Sequence, residues 1–450
     1  MKRLFSFLIF IFFLSNCSFD NKTGIWKDSS DLEKIKKKQA QRKELKDIFV
    51  EDKIFDEEKE ASSKIKIEVD YPLKTKNWTD LYFNPENNIS NIYYENSKYL
   101  VFKSSKMSKS SRNKDFLFYN NNIVSTDSKG RIFVYSLEQK KKILEYSFYK
   151  KQFKKYRKEI NIAIDSGKIY ASDNLGYVYA IEINSGKLLW AKQFGIPFRS
   201  NIKIIGERIF LVNQDNKIYC LRSSSGEKIW EFGTSLTKLK STFKNNIAVN
   251  KNNNNLFFLN TSGELYSINY INQKINWFVN LKNEKSKLDS SLFSSSPLVI
   301  GGNKILVSSG DFLFNYDSLS GKRIWKKNIP IRKKITLTKN NVFLFTKNNF
   351  LICLDLHTGQ ILWSKNIFKE IRSLDKKKLS KKITKISNLI IANNQIFLFS
   401  SEGYLLLFDY KSGNIKSVEK ILKSGLGSGP IIVNGSMYLL DKSNRLFQYR

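Results

Sequence analysis

The sequence predicts an all-β protein, a single β-propeller of eight four-stranded antiparallel blades closed by an N-terminal strand. Tryptophans recur at intervals of 40, 47, 48 and 38 residues, a spacing typical of propellers and solenoids. A Gly, Asn or Asp precedes each one by 14 residues, and alternating apolar and polar residues flank that position, as in β-strands. The recurring tryptophans are Trp190, Trp230, Trp277, Trp325 and Trp363.

The residue 14 positions before each tryptophan is predicted to lie in a hairpin turn, because Gly, Asn and Asp tolerate a positive φ. Weaker copies of the repeat lack the tryptophan but keep this residue type, which brings the number of turns to eight. The eight positions are Gly130, Gly176, Asn216, Gly263, Asp311, Asn349, Gly403 and Asn444.

An alternating strand precedes and follows each turn, and each repeat supplies about four short strands, the content of a propeller blade. The last repeat stops at Arg450 without its outer strand. We therefore predict that the segment Lys98–Lys103 (K-Y-L-V-F-K) completes this blade and closes the ring, which removes exposed strand edges.

The tryptophans are predicted to wedge between neighbouring blades, where each ring would bury roughly 200 Å². The alternative is stacking on a planar ligand, but a ligand needs only one or two rings. Cys220 and Cys353 both stand ten residues before a tryptophan, in a slot that other repeats fill with small residues. They belong to different blades and are predicted not to bond to each other.

The N-terminus predicts export. After Met1-Lys2-Arg3, the apolar run Phe5–Leu14 is half the length of about 20 residues that a membrane-spanning helix needs, which favours a signal peptide. Leu14–Cys17 (L-S-N-C) resembles a bacterial lipobox, in which the cysteine is lipidated. A plain secretory signal with an incidental cysteine is the alternative.

These features predict three regions: a lipoprotein signal peptide at 1–16, a charged tether at 17–76 and the propeller at 77–450. Ser18, where an inner-membrane retention signal has Asp, implies the periplasmic face of the outer membrane. The formal charge of +36, from 77 Lys and Arg against 41 Asp and Glu, would otherwise suggest nucleic acid. An exported protein does not normally meet nucleic acid, so we interpret the charge mainly as a solvated surface that could favour anionic lipid or an acidic partner.

The stretch Gly176–Trp190 (G-Y-V-Y-A-I-E-I-N-S-G-K-L-L-W) resembles the PQQ-type propeller repeat almost completely. Together with the lipobox and the single propeller, the chain resembles the BamB family of outer-membrane protein assembly lipoproteins over roughly Asn77–Arg450. The resemblance implies a non-catalytic scaffold, with no cofactor, metal or small-molecule substrate, that is a monomer within a hetero-complex. It also implies binding to the POTRA domains of a BamA-type insertase, and contact with unfolded outer-membrane proteins.

In that family, a loop after a third-blade tryptophan carries the leucine and basic residues that contact the insertase. The resemblance places Leu236, Leu239 and Lys240 in this role, in the loop that follows Trp230. Phe198 and Arg199, in the preceding inter-blade loop, are weaker matches. The alternative for the loop after Trp230 is an ordinary solvated inter-blade loop.

Two rival functions remain. A PQQ-dependent quinoprotein dehydrogenase shares the fold, and fold alone does not decide function, but we find no adjacent cysteines and no convincing metal constellation in the sequence. The single histidine, His357, falls in a turn, which suits a surface residue better than a catalytic base. The other rival is an envelope scaffold for a different complex.

One further motif, G-L-G-S-G-P at Gly425–Pro430, superficially resembles a phosphate-binding loop. It lacks the lysine that follows such loops and falls between two blades. We therefore predict that it is an inter-blade connection.

Overall fold

The computed structural model separates into two compact units, Met1–Ile54 and Phe55–Arg450. In the first unit, strands β1 (Cys17–Phe19) and β2 (Trp26–Asp28) pair antiparallel. None of the helices within the described residues is long and apolar enough to cross a membrane. The residues that the structure describes are 17–19, 26–28, 53–96, 99–236, 243–282, 292–374 and 377–450.

The second unit contains eight four-stranded antiparallel sheets, and this confirms the predicted eight-bladed propeller. In blades 1–7 the strands follow one another in chain order from the innermost to the outermost. The strands of blades 1–4 are β4 (Arg112–Tyr119), β5 (Asn122–Asp127), β6 (Arg131–Ser136), β7 (Lys141–Ser147); β8 (Ile160–Asp165), β9 (Lys168–Asp173), β10 (Tyr177–Glu182), β11 (Leu188–Gln193); β12 (Lys203–Ile205), β13 (Arg208–Val212), β14 (Lys217–Arg222), β15 (Lys228–Gly233); and β16 (Asn246–Asn250), β17 (Asn255–Leu259), β18 (Glu264–Asn269), β19 (Ile275–Asn280).

Blades 5–8 repeat the pattern, and blade 8 takes its outermost strand, β3 (Leu100–Lys106), from the other end of the propeller sequence. A 3-10 turn (Lys151–Phe153) and two short helices, α1 (Ile367–Ser373) and α2 (Lys377–Ser380), lie in inter-blade connections. The remaining strands are β20 (Val299–Gly301), β21 (Lys304–Ser309), β22 (Phe312–Asp317), β23 (Arg323–Lys327); β24 (Thr336–Thr338), β25 (Asn341–Phe345), β26 (Phe350–Asp355), β27 (Ile361–Asn366); β28 (Ile386–Ala392), β29 (Gln395–Ser400), β30 (Tyr404–Asp409), β31 (Ile415–Lys420); and β32 (Ile431–Val433), β33 (Ser436–Leu440), β34 (Arg445–Tyr449).

Ring closure occurs where it was predicted. β3 pairs antiparallel with β34, so that Leu100 lies opposite Tyr449 and Lys103 opposite Phe447. The closing strand begins at Leu100 and continues to Lys106, three residues beyond the predicted segment, whose first residue, Lys98, lies outside the described residues. The first and last strands of the propeller sequence therefore share one sheet, and the outer edge of β34 is covered.

Seven of the eight predicted turn residues have a positive φ, and Asp311 is the exception. The hairpin of blade 5 has only two residues between the paired Ser309 and Phe312, and Gly310 takes the left-handed conformation there (φ 61°). In the longer turns, an acceptor side chain three residues earlier fixes the loop. In blade 2, for example, Asp173 Oδ1 accepts hydrogen bonds from the backbone of Leu175 and Tyr177 at 2.9 and 2.8 Å.

The repeated tryptophans lie at the seams between blades. A Cβ added to Gly226 would lie 2.4 Å from the ring of Trp190, so the ring lies directly on this turn glycine of the next blade. The indole N–H also donates to a carbonyl of that blade in four of the five cases: Trp190 to Ser223, Trp277 to Ser318, Trp325 to Leu356 and Trp363 to Tyr410, at 2.9–3.1 Å. Each of these rings thus joins two sheets by packing and by a hydrogen bond.

Trp230 is the exception at these seams. The turn of the next blade has Gln273 in the left-handed conformation (φ 65°) instead of a glycine. Trp230 is still 5% exposed, but its indole nitrogen has no hydrogen-bond partner among the described residues.

A single stretch of chain, residues 75–95, fills the centre of the ring, and we call it the hub segment. It makes one circuit of the axis and contacts the blades in their order, mostly through backbone groups of the innermost strands. Its contacts with blades 1–8 are Trp78 with Phe118, Thr79 with Ile164, Asp80 with Lys203, Pro85 with Val249, Glu86 with Ile300, Asn88 with Leu337, Ile92 with Ile391, and Glu95 with Gly435, at 2.7–3.1 Å.

The residues just before the hub segment also pack on the propeller. Lys59 exchanges two backbone hydrogen bonds with Ser364 of β27, the outermost strand of blade 6, and so covers its edge. Ile67 is 6% exposed and belongs to the core of blades 6 and 7. The predicted boundary between tether and propeller, at residue 77, therefore falls inside the second unit.

The seam can be tested with two glycines of nearly equal φ. Gly413 (φ 72°) lies on Trp363, and an added Cβ would be 2.6 Å from the ring, whereas Gly167 (φ 74°) has no atom within 4 Å of that point. Both alanine variants carry the left-handed strain of about 1–2 kcal/mol. We expect Gly413→Ala to lose a further 1–3 kcal/mol or so of unfolding free energy, because the indole must shift. Equal denaturation midpoints for Gly413→Ala and Gly167→Ala would contradict the packing described for the seam.

Candidate interaction face

The antiparallel strands of the blades place two different sets of loops at the two ends of the ring. The connections between blades, and the hairpins between the second and third strands, lie at one end, which we call the connection face. The remaining hairpins lie at the other end, the turn face. Both loops that the sequence singled out follow an outermost strand, so they lie on the connection face.

The first of these loops is held rigidly. Phe198 is 2% exposed and packs edge-on against Phe194 and Tyr219, with ring centroids 5.4 and 5.8 Å away. The backbone N–H of Arg199 donates to Val212 at 3.0 Å, and its side chain is half-buried. The buried ring of Phe198 therefore holds the loop in position and is not accessible to a partner.

The second loop follows β15, and hydrogen bonds hold its first residues in place. Ser235 accepts hydrogen bonds from Asn216 and Ser262 on its carbonyl, and its hydroxyl donates to Glu264 at 2.7 Å. Leu236 follows directly and is 72% exposed, so an apolar side chain is presented to solvent from an anchored backbone. Leu239 and Lys240, which the sequence placed beside it, lie outside the described residues.

A buried ion pair fastens the hub segment beneath this face. Lys203 Nζ donates to Asp80 at 2.7 Å and to the carbonyl of Asn84 at 2.8 Å, and its side chain is fully buried. Burial lowers the pKa of Lys203, and the carboxylate of Asp80 partly offsets this. The ammonium group of Lys334 donates to the carbonyl of Tyr82 at 3.3 Å. Burial and the nearby charge of Lys203 hold the pKa of Lys334 well below its usual value.

The side chains to assess for catalysis are the thiols of Cys220 and Cys353 and the imidazole of His357. No group of three or more His, Cys, Asp and Glu residues there could hold a metal ion. Burial raises the pKa of the Cys220 thiol to about 12 and that of Cys353 well above its usual value, so neither forms a reactive thiolate. His357 is exposed in its predicted turn, 3.3 Å from the side chain of Asn340.

Comparisons with known proteins agree with this geometry. The family model described as outer membrane protein assembly factor BamB matches residues 149–365. The BamB of Moranella endobia is 20% identical over 63% of this chain and 72% of its own length. The crystal structure of BamB from Moraxella catarrhalis covers 78% of this chain and 99% of its own, with a TM-score of 0.61 and 13% identity.

The fold is shared more widely than the family. The quinohemoprotein alcohol dehydrogenase of Comamonas testosteroni superimposes with a TM-score of 0.64 at 11% identity, over 84% of this chain and 81% of its own. The repeat and the blades thus define the class: the chain is a PQQ-repeat β-propeller. Within that class it is BamB-like, since the matching family model and the Moranella relative both carry that name.

The structural role of the hub segment was missed in the sequence. Its stretch N-P-E-N-N (84–88) has no alternation and looks like a loop. The signal was its asparagines, whose amides can pair with backbone groups at the ends of strands. Asn87 donates to the carbonyls of Ile247 and Leu298 at 3.0 and 3.1 Å, and so bridges blades 4 and 5.

The ion pair makes the attachment of the hub segment testable. We expect Asp80→Ala to cost about 3–5 kcal/mol of unfolding free energy, because it leaves the Lys203 ammonium buried without a counter-charge. Adding Lys203→Met to that variant removes the unpaired charge and is expected to restore much of the loss. The control is Glu231→Ala at the partly exposed pair with Lys217, with a cost of about 1 kcal/mol or less. Equal losses for Asp80→Ala and Glu231→Ala in chemical denaturation would refute the anchoring role.

Proposed function

We propose that this chain is a non-catalytic scaffold of the machinery that assembles β-barrel proteins in the outer membrane. In this proposal it lies at the periplasmic face, binds the POTRA domains of a BamA-type insertase and assists the delivery or insertion of unfolded outer-membrane proteins. The observation that carries the proposal is the match of the BamB family model to residues 149–365.

The geometry supports a platform. The hub segment joins all eight blades, and the indole rings fix neighbouring blades at the seams, so surface loops stand on a rigid base. Leu236 is the proposed centre of the insertase contact, with Leu239 and Lys240 from the same loop and Arg199 from the preceding connection. An apolar centre with a polar rim is the usual composition of a protein interface. We leave Phe198 out of the contact surface because its side chain is buried.

A quinoprotein dehydrogenase is the alternative that the Comamonas similarity raises. Such an enzyme needs a quinone site and metal ligands, and a shared propeller does not supply them. Adding PQQ and calcium to the purified chain, followed by ultraviolet–visible spectroscopy, separates the two functions. We expect the spectrum of free PQQ to be unchanged, and a bound-quinone spectrum would support the enzyme.

The other alternative is a scaffold for a different envelope complex. A pull-down from solubilised envelopes under conditions that preserve other complexes distinguishes the two. Recovery of the insertase supports the assembly function, whereas its absence alongside a different recovered complex counts against it.

Membrane attachment forms a separate part of the proposal, with the thiol of Cys17 as the site of lipidation. We expect Cys17→Ala to move the protein from the membrane to the soluble fraction, because the acyl chains supply the anchoring energy. Detergent phase partitioning measures this directly, and Cys220→Ala is the matched control because that thiol is buried in a blade. Unchanged partitioning of Cys17→Ala would refute the lipid anchor.

The insertase contact can be tested with two exposed leucines on opposite faces. We expect Leu236→Asp, alone and with Leu239→Asp, to weaken POTRA binding about tenfold or more, since a charge replaces an apolar contact. Leu319→Asp is the control, because Leu319 is 50% exposed in a turn-face hairpin of blade 5. Calorimetric titration gives the affinities. Equal affinities for the Leu236 and Leu319 variants would eliminate the proposed contact.

A further inference from the structure

A cavity of about 540 Å³ opens on the connection face, between the hub segment and the connections of blades 5–8. Its volume falls in the range of small-molecule sites. Four basic side chains line it against one carboxylate: Arg332, Lys333, Lys334 and Lys385 against Asp115.

The chain also supplies hydroxyl groups to this cavity. Ser387 and Ser428 both line it, and the Ser387 hydroxyl already donates to the carbonyl of Phe399 at 2.8 Å, so the hydroxyl proton available to a ligand is that of Ser428. Ser428 is 6% exposed, and its Oγ has no hydrogen-bond partner among the described residues. A buried hydroxyl without a partner is costly, so a ligand at this position would satisfy it.

Part of the cavity wall is the motif G-L-G-S-G-P, the loop that resembled a phosphate-binding loop but lacked its lysine. Leu426 to Pro430 line the cavity, with Lys385 from the preceding blade and Lys333 from the blade before that. Lysines from two other blades therefore supply the positive charge that the motif itself lacks. Gly429 brings the loop close to its neighbour, because an added Cβ would lie 2.7 Å from Asn388 Nδ2.

We propose that this cavity binds a phosphate-class oxyanion, either as a free phosphate compound or as the headgroup of a phospholipid. The basic side chains outnumber the single carboxylate, and a phosphate group brings negative charge, about −1.5 to −2 for a phosphomonoester at neutral pH, with several acceptor oxygens. Lysine and arginine side chains with a serine hydroxyl supply the matching donors. An anion would also relieve the repulsion between Lys334 and Lys203.

The experiment titrates inorganic pyrophosphate into the full chain in a neutral detergent and measures binding by calorimetry. We expect saturable binding that weakens as salt increases. Ser428→Ala is expected to weaken it about tenfold or more, because a hydrogen bond to a charged group is lost. The same variant is expected to keep its denaturation midpoint, since that hydroxyl has no partner to lose.

A matched pair of double variants separates the cavity from the general surface charge. Lys333→Gln with Lys385→Gln is expected to weaken binding at least as much as Ser428→Ala. Lys322→Gln with Lys411→Gln removes the same charge from exposed turn-face hairpins and is expected to leave binding unchanged. Equal losses in the two double variants would overturn the site, as would a wild type that binds neither pyrophosphate nor the phospholipid vesicles described next.

Vesicles of phosphatidylglycerol identify the source of the phosphate. Vesicle binding that Ser428→Ala weakens, measured by flotation, supports a headgroup as the ligand, and pyrophosphate binding alone supports a free phosphate compound. Vesicle binding that is indifferent to Ser428→Ala, without pyrophosphate binding, overturns the proposal. Insertase binding at Leu236 is measured separately, so the failure of the proposed function and the failure of the anion site can be distinguished.

Discussion

The structure depends on pairing the backbone groups that eight innermost strands direct towards a common axis. Buried N–H and C=O groups without partners would each cost free energy, and water cannot reach all of them in a narrow centre. The hub segment solves this with one passage of the chain, in which the carbonyls of Thr79, Pro85 and Glu86 accept from Ile164, Val249 and Ile300 of blades 2, 4 and 5. One segment of about twenty residues thereby fixes the relative positions of all blades.

The outer part of the ring is fixed by a different interaction. Every seam tryptophan except Trp230 covers a turn glycine of the next blade and donates a hydrogen bond across the seam. A ring held at its centre by polar contacts and at its seams by indoles has little freedom for one blade to move alone. At the seam of Trp230 the indole contributes by packing alone. Its nitrogen has no hydrogen-bond partner among the described residues, and the ring is still only 5% exposed.

Features that depend on neighbours in sequence were predictable, and those that depend on distant contacts were not. Turn residues and strands follow from local conformational preference. The wrong prediction at Asp311 also has a local cause, because the hairpin of blade 5 is one residue shorter than the others and its left-handed residue is Gly310. The hub segment has no period, and most of its partners are far away in sequence: Asp80 pairs with Lys203 across 123 positions and Asn91 with Asn394 across 303. Likewise, the sequence alone could not separate exposed Leu236 from buried Phe198, because the ring of Phe198 is covered partly by Tyr219 from the next blade.

The rigidity of the ring limits how its surfaces can influence each other. The loop of Leu236 and the basic cavity lie on the same face, but the first connects blades 3 and 4 and the second lies between the connections of blades 5–8. A coupling that required blades to rotate would have to break hub contacts on several blades at once. An effect of a bound anion on a partner would therefore act through charge and steric overlap across the face. Such an effect depends on ionic strength, because the Debye length is about 8 Å at physiological salt. The two proposed recognition surfaces could therefore be occupied together without a conformational switch.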